Sequence, residues 1–188
     1  MLRKILLFIA IIIVYVLHTT LAPFIAMANV VPNFTMVFVC ITSLLRGRRE
    51  GMIVGFFSGL LLDVFYGYND IIGINALCYV FVGYINGVFK DIYFLDDINI
   101  PMLMVALCDL GYNFIMYVLT FMMRNDLNLG YYLKRIIIPE MVYTVLICFI
   151  VYRVLRLINI KLEAFENRGV KKDDNQGIIW FIFKLHKV

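Results

Sequence analysis

Charged side chains are scarce in this chain of 188 residues. Lys, Arg, Asp and Glu make up 16% of it, whereas 63% is apolar and the mean hydropathy is +0.91. Soluble domains carry about 25% charged residues, so this composition argues against a water-soluble protein. The apolar residues are spread over residues 5–158 instead of forming a single anchor. We therefore expect one multi-span membrane domain.

Residue types that bind metals or catalyse reactions are also few. The two histidines are isolated, and the four cysteines lie in four separate apolar segments without a Cys-x-x-Cys pair. The sequence has no His-Glu-x-x-His motif, no Gly-x-Ser-x-Gly motif and no phosphate-binding glycine loop. We therefore predict no enzyme activity, no metal site, no disulfide and no cofactor.

Six apolar segments are long enough, or nearly so, to cross about 30 Å of hydrocarbon as helices. They are Ile5–Leu21, Pro32–Leu45, Gly51–Tyr66, Ile71–Phe89, Ile100–Met123 and Ile136–Ile158. The first exceeds the roughly 7–15 residues of a signal-peptide core, which favours an uncleaved span. The second and third are short and are joined by the basic hairpin 46–50. We predict an all-α polytopic membrane helix bundle of about six transmembrane helices in residues 1–160.

The basic residues predict the orientation of this bundle. If the N-terminus is cytoplasmic, all of the seventeen Lys and Arg residues except Arg124, Lys134 and Arg135 fall on the cytoplasmic side. The net charge of +4 therefore reflects topology and contact with membrane lipid, not a nucleic-acid partner. Residues 161–188 then form a cytoplasmic tail. Within it, the apolar segment 178–183 is either an interfacial segment or an adhesive patch in a disordered end.

Glycines spaced four residues apart form the most specific pattern. Gly47, Gly51, Gly55 and Gly59 share one side of a predicted helix, and Asp63 continues the same register. A second, shorter example is the pair Gly83 and Gly87. Glycine at such a face lets another helix approach the backbone closely. The sequence leaves two uses open, which are packing within the chain and docking of a partner's helix.

Polar residues inside the apolar segments form a second group of candidates. A carboxylate at the membrane centre costs about 2.5–3.5 kcal/mol, so Asp63 should face protein or water. Its candidate partners by depth are Asn75, His18 and Glu140. Asp109 and Asn113 lie four residues apart on the fifth span and form a second intramembrane polar site. These residues either lock helices together or contact a ligand or partner.

Three stretches of the chain resemble a known family. They are Pro32-Asn33-Phe34, the run GRREGMIVGFFSGLLLDVFYG from Gly47 to Gly67, and the run IIGINALCYVFVGYINGVFKD from Ile71 to Asp91. The proline that opens the second span, the glycine series leading into Leu-Leu-Asp, and the start of the fourth span from Gly73 to Leu77 resemble the MreD family of rod-shape-determining membrane proteins. These motifs lie within a span of about sixty residues, from Pro32 to Asp91.

The resemblance implies a non-enzymatic scaffold subunit of the cell-elongation machinery, in the bacterial cytoplasmic membrane. Its implied partners are MreC first, and then MreB, RodA and a penicillin-binding transpeptidase that supports peptidoglycan synthesis. MreD is similar in fold to the substrate-binding subunits of energy-coupling-factor transporters, which supplies an alternative function in vitamin uptake.

In that alternative, Asp63, Asn75, Asp109 and Asn113 would line a ligand cavity. However, Ala10, Ala22 and Ala26 do not form the Ala-x-x-x-Ala face of such subunits on the first span.

Overall fold

The part of the chain that the structure describes is almost entirely helical. The computed structural model describes the backbone of residues 2–26, 30–66, 73–91, 98–122, 130 and 133–185, and the side chains of 5–26, 30–65, 73–90, 98–119, 130 and 133–161. Within these residues there are six α-helices and no β-strand. The helices are α1 (Leu2–Phe24), α2 (Phe34–Arg46), α3 (Arg48–Tyr66), α4 (Ile74–Val88), α5 (Asn99–Met122) and α6 (Ile138–Leu185). Each falls on one of the six predicted apolar segments.

Three of these helices contain a stretch that is long and apolar enough to cross a membrane. The stretches are Ile5–Phe24 in α1, Asn99–Leu119 in α5, and Leu133–Lys161, which includes a π-helical turn before α6. Many large apolar side chains on these helices are exposed, for example Phe8 and Leu107. Such exposure is expected where lipid is the solvent. The predicted helical membrane bundle is therefore confirmed.

The short helix α2 forms the centre of the bundle. It has 13 residues and is therefore about 20 Å long at 1.5 Å per residue. All of its residues from Thr35 to Leu44 are buried, and it contacts α1, α3, α4 and α5. Its side chains are mostly apolar, and the burial extends to the polar Thr35, Thr42 and Ser43. The second predicted segment, which is short, is therefore a helix surrounded by protein.

A single residue, Gly47, joins α2 to α3. Its φ of 94° lies in the left-handed region that glycine adopts without strain, and its N–H donates to the carbonyl of Ser43 at 2.7 Å. Arg46 forms an ion pair with Glu50 at 3.3 Å across this turn. The Lys90 ammonium donates to the Arg46 carbonyl at 3.3 Å, which connects the 3₁₀ turn after α4 (Phe89–Asp91) to the same region.

The last helix, α6, continues beyond the predicted apolar segment to Leu185. The contacts divide the chain into two compact units, Met1–Arg153 and Val154–Val188. The side chains of 162–188 lie outside the described residues. The predicted domain boundary at 160 and the interfacial segment 178–183 therefore stay predictions.

Candidate functional site

The most extensive helix pair among the described residues is α3 with α4. Their backbones meet at glycine positions. A Cβ atom added to Gly55 would collide with the carbonyl oxygen of Tyr79, and one added to Gly59 would lie 2.5 Å from the Cα of Ala76. Real Cβ atoms essentially never approach another atom within 3.0 Å. These glycines are therefore required by the close approach of the two helices.

The two glycine series of the sequence face each other in this contact. Gly83 meets the backbone of Gly51, and a Cβ on Gly87 would lie 2.5 Å from the Cα of Arg48. Gly47 differs from the others, because it forms the turn into α3 and a Cβ added to it would meet only the Lys90 side chain. The chain's own α4 thus occupies the α3 glycine face. A partner's helix could reach those backbone atoms only if α4 moved away.

Asp63 caps the N-terminal end of α4. Its two carboxylate oxygens accept hydrogen bonds from the backbone N–H groups of Asn75 at 3.1 Å and Ala76 at 2.9 Å. The residue before the helix, Gly73, offers no side-chain cap, so Asp63 supplies the acceptor from a different helix. Its negative charge also lies at the positive end of the α4 dipole. Among the three partners expected for Asp63, Asn75 is the one that bonds, through its backbone.

A chain of polar side chains, which we call the polar network, connects this end of α4 to α2, α5 and α6. Tyr112 donates to the Asn75 side-chain oxygen at 2.7 Å, and its ring stacks on Tyr79 with centroids 5.5 Å apart. Tyr79 donates to the side-chain oxygen of Asn33 at 3.1 Å, and the Asn33 N–H donates to the Thr144 hydroxyl at 3.2 Å. The same Asn33 oxygen caps α2 by accepting from the Met36 N–H at 3.0 Å. The network therefore bonds helix ends to helix faces inside the bundle.

Asp109 and Asn113 lie on α5 opposite Glu140 and Thr144 of α6. Asp109 is fully buried beside Thr144, and Asn113 is close to Glu140. The Thr144 hydroxyl is the hydrogen-bonding group beside the Asp109 carboxyl, and Asn113 is the one beside Glu140. Among the described residues, neither contact reaches full hydrogen-bond geometry at the Asp109 oxygens or the Asn113 nitrogen. We call these four residues the α5–α6 acidic site. It differs from Asp63, whose carboxylate is fully bonded.

His18 is the remaining candidate from the sequence, and among the described residues no hydrogen bond of its buried Nδ1 connects it to Asp63 or to the polar network. Its Nδ1 atom is buried on α1 without a hydrogen-bond partner in the described part of the chain. Asn86 is a buried polar residue that the sequence analysis did not single out. Its side-chain nitrogen donates to the Val82 carbonyl at 2.9 Å and lies 3.1 Å from the Cys108 sulfur and 3.5 Å from that of Cys40. The four cysteines are free thiols.

Sequence reasoning missed the central members of the polar network. Asn33 carried a usable signal, because an Asn directly before an apolar run is typical of a helix N-cap. Tyr79 and Thr144 carried none, since a lone Tyr or Thr in an apolar helix resembles ordinary packing. Two residues assigned to a ligand cavity in the transporter alternative, Asp63 and Asn75, bond within the chain instead.

A comparison with protein families finds a match over most of the chain. A family model described as rod shape-determining protein MreD matches residues 1–159, which is most of the chain and includes every predicted membrane segment. No curated protein and no solved structure matches the chain.

Proposed function

Because the chain belongs to the MreD family of rod shape-determining proteins, we propose that it acts as a non-enzymatic scaffold subunit of the bacterial cell-elongation machinery. In this role it binds MreC and supports peptidoglycan synthesis. The observation that carries the proposal is the family match over residues 1–159. MreB, RodA and a penicillin-binding transpeptidase are further proposed partners.

The family match also indicates which part of the chain performs the role. It covers α1 to α5 and the beginning of α6, and it ends before the charged tail. The proposed activity therefore belongs to the helical bundle. We propose that this bundle lies in the cytoplasmic membrane with both termini in the cytoplasm, as the distribution of basic residues predicts.

The use of polar groups in the bundle supports a scaffold role. The side-chain oxygens of Asp63 and Asn33 accept hydrogen bonds from the N–H groups at helix N-termini. The hydroxyls of Tyr112 and Tyr79 donate to the side chains of Asn75 and Asn33, which belong to other parts of the bundle. Such bonds hold a fixed arrangement of helices, which is what a docking surface for a single-helix partner requires.

The proposed route to MreC binding runs through the α3–α4 pair. Because α4 occupies the glycine face, we propose that MreC recognises a surface whose shape depends on this pair, and not the bare glycines. A Leu side chain at Gly55 would meet the Tyr79 backbone and push the two helices apart. The recognised surface would be lost although the chain still inserts into the membrane.

Co-purification with MreC tests this proposal. The tagged wild-type chain should recover MreC from solubilised membranes, Gly55→Leu should recover much less, and both should be present in the membrane at equal amounts. Gly111 of α5 has no atom within 4 Å of its added Cβ, so Gly111→Leu is the matched control and should recover MreC normally. If the wild-type chain fails to recover MreC, the proposed partner is wrong. If Gly55→Leu recovers it fully, the role given to the α3–α4 pair is wrong.

The cellular role is tested separately by depletion. Cells that lose the protein should change from rods to rounded cells, and Gly111→Leu should restore the rod shape. Cells that remain rods without the protein would contradict the proposed support of wall elongation.

A further inference from the structure

The helix α4 is too short to cross a bilayer of ordinary thickness. It has 15 residues, which make a helix about 22 Å long, whereas the hydrocarbon core of a bilayer is about 30 Å thick. The apolar stretch of α1 has 20 residues and reaches about 30 Å. Two helices of the same bundle are therefore matched to bilayers of different thickness.

Both ends of α4 are fixed by other parts of the protein. Asp63 accepts from N–H groups of its first turn, and Gly73 in front of the helix has a φ of 110°, which is not helical. At the other end the chain enters the 3₁₀ turn Phe89–Asp91, where the Lys90 ammonium donates to the last carbonyl of α2. The helix therefore cannot lengthen in a thicker bilayer, and the irregular backbone beyond its ends is not tolerated in contact with lipid.

The neighbouring helix α3 has a similarly low apolar surface. Its exposed large apolar side chains begin at Ile53 and end at Phe65, about 18 Å along the helix, and those of α4 cover about 17 Å. On α1 the corresponding side chains cover about 28 Å, from Ile5 to Phe24. We call the exposed apolar side chains of α3 and α4 the short band, which comprises Ile53, Phe56, Phe57, Val64, Phe65, Leu77, Phe81, Tyr84, Ile85 and Val88.

The residue types of the short band favour lipid over another helix as its neighbour. Helices that associate inside a membrane use small residues, which let their backbones approach. The glycines within α3 and α4 are all used in the contact between these two helices. The short band itself consists of Phe, Ile, Val, Leu and Tyr, so a partner's helix finds no close approach there, whereas acyl chains pack against such side chains readily.

Other ways of accommodating a short helix do not apply here. Tilting reduces the height of a helix across the bilayer, so it increases the mismatch. Long basic side chains can reach out of the hydrocarbon, but the exposed Arg48, Arg49 and Lys90 all lie at one end of the α3–α4 pair. The sequence between the two helices offers only the short polar side chains of Asn69 and Asp70 besides Tyr68. A thinner bilayer is the accommodation that remains.

We propose that the short band is a lipid-contact surface that thins the bilayer beside α3 and α4 and prefers phospholipids with short acyl chains. The α1 surface is matched to chains of ordinary length. The proposal concerns the isolated chain and does not depend on MreC binding.

Tryptophan quenching in lipid vesicles tests the proposal at single positions. The chain has one Trp, Trp180, so Trp180→Phe provides a background without this fluorophore. Phe81→Trp then reports on the short band and Ile13→Trp on α1, because these side chains are 59% and 52% exposed. A brominated phospholipid with eighteen-carbon chains quenches each reporter on contact, and unbrominated phosphatidylcholine with fourteen-carbon or eighteen-carbon chains competes with it.

The two reporters should differ in the lipid that they prefer. At Phe81→Trp the fourteen-carbon lipid should displace the quencher about threefold more effectively than the eighteen-carbon lipid, as expected for a mismatch of several Å shared among a few lipids. At Ile13→Trp it should be no more effective than the eighteen-carbon lipid.

A second pair of variants changes the height of the band. Arg49 is exposed and lies four residues before Ile53, on the same side of α3. Arg49→Leu therefore extends the band by about 6 Å, and at a Phe56→Trp reporter it should remove most of the preference for the short-chain lipid. Arg49→Gln also removes the charge but stays polar, so it should retain that preference.

Three results would overturn the proposal. Equal lipid preferences at Phe81→Trp and Ile13→Trp would mean that the bilayer has one thickness around the protein. Absence of quenching at Phe81→Trp would mean that protein, such as a second copy of the chain, covers the short band. An unchanged preference in Arg49→Leu would mean that the height of the band does not select the lipid.

Discussion

The glycine contact between α3 and α4 makes a sharp prediction about stability. Gly55 and Gly111 both lie inside long helices, but a Cβ at Gly55 would collide with the Tyr79 backbone, whereas a Cβ at Gly111 meets nothing within 4 Å. The substitution Gly→Ala adds the same methyl group at both positions. Only the tertiary contact differs, so the pair of variants isolates its energy.

The magnitude follows from two opposing effects. Replacing Gly by Ala inside a helix gains up to about 1 kcal/mol, and this gain applies at both positions. Adding a methyl group to a close contact costs about 1–3 kcal/mol. The neighbouring atoms at Gly55 belong to the backbone of α4 and not to a movable side chain, so we expect the upper end of that range. Gly55→Ala should lose about 2 kcal/mol, while Gly111→Ala should gain up to about 1 kcal/mol.

Thermal unfolding in detergent measures the difference. A difference of about 3 kcal/mol between the variants corresponds to roughly 6–12 °C for a chain of this size, with Gly55→Ala below the wild type and Gly111→Ala at or above it. Membrane insertion of all three should be equal. If Gly55→Ala unfolds at the temperature of Gly111→Ala, the two helices do not approach as closely as the structure indicates, and the stated reason for the glycine spacing is refuted.

Two further predictions concern the polar groups near the start of α4. Asp63→Ala removes the acceptor of two backbone N–H groups and should cost about 1.5–3 kcal/mol, whereas Asp63→Asn keeps one acceptor oxygen and should cost less; equal unfolding temperatures of Asp63→Ala and the wild type would show that the cap contributes nothing. Tyr112→Phe removes the bond of 2.7 Å to Asn75 and keeps the ring stacked on Tyr79. It should cost about 1 kcal/mol, and a neutral result would assign the Tyr112 contribution to the ring alone.

The helices themselves were predictable because hydropathy is a property of a local stretch of chain. Each of the six apolar segments contains one helix. The boundaries differ most at α6, which continues to Leu185 through the charged stretch 161–176, where the predicted apolar segment has already ended. The shortness of α2 was also visible, but its reason was not, since only the packed bundle shows that protein surrounds it on every side.

The glycines show where local information ends. The spacing of Gly51, Gly55 and Gly59 predicts a close helix approach, and so does the pair Gly83 and Gly87. Neither series predicts that it packs against the other, because any second helix could pack against a bare backbone face. The antiparallel arrangement of α3 and α4 brings the two faces together.

The polar residues show the same limit in a different way. A carboxylate in hydrocarbon is costly, so Asp63 and Asp109 need partners. The sequence alone determined this need, as it determined the membrane environment and the helical class. Which groups serve as partners was decided by tertiary structure. A carboxylate accepts from any donor in reach, so Asp63 bonds to the end of α4 while Asp109, the same residue type, lies beside the Thr144 hydroxyl of α6. The amino-acid sequence determines which buried polar groups need hydrogen-bond partners, and only the packing of the helices determines which groups become those partners.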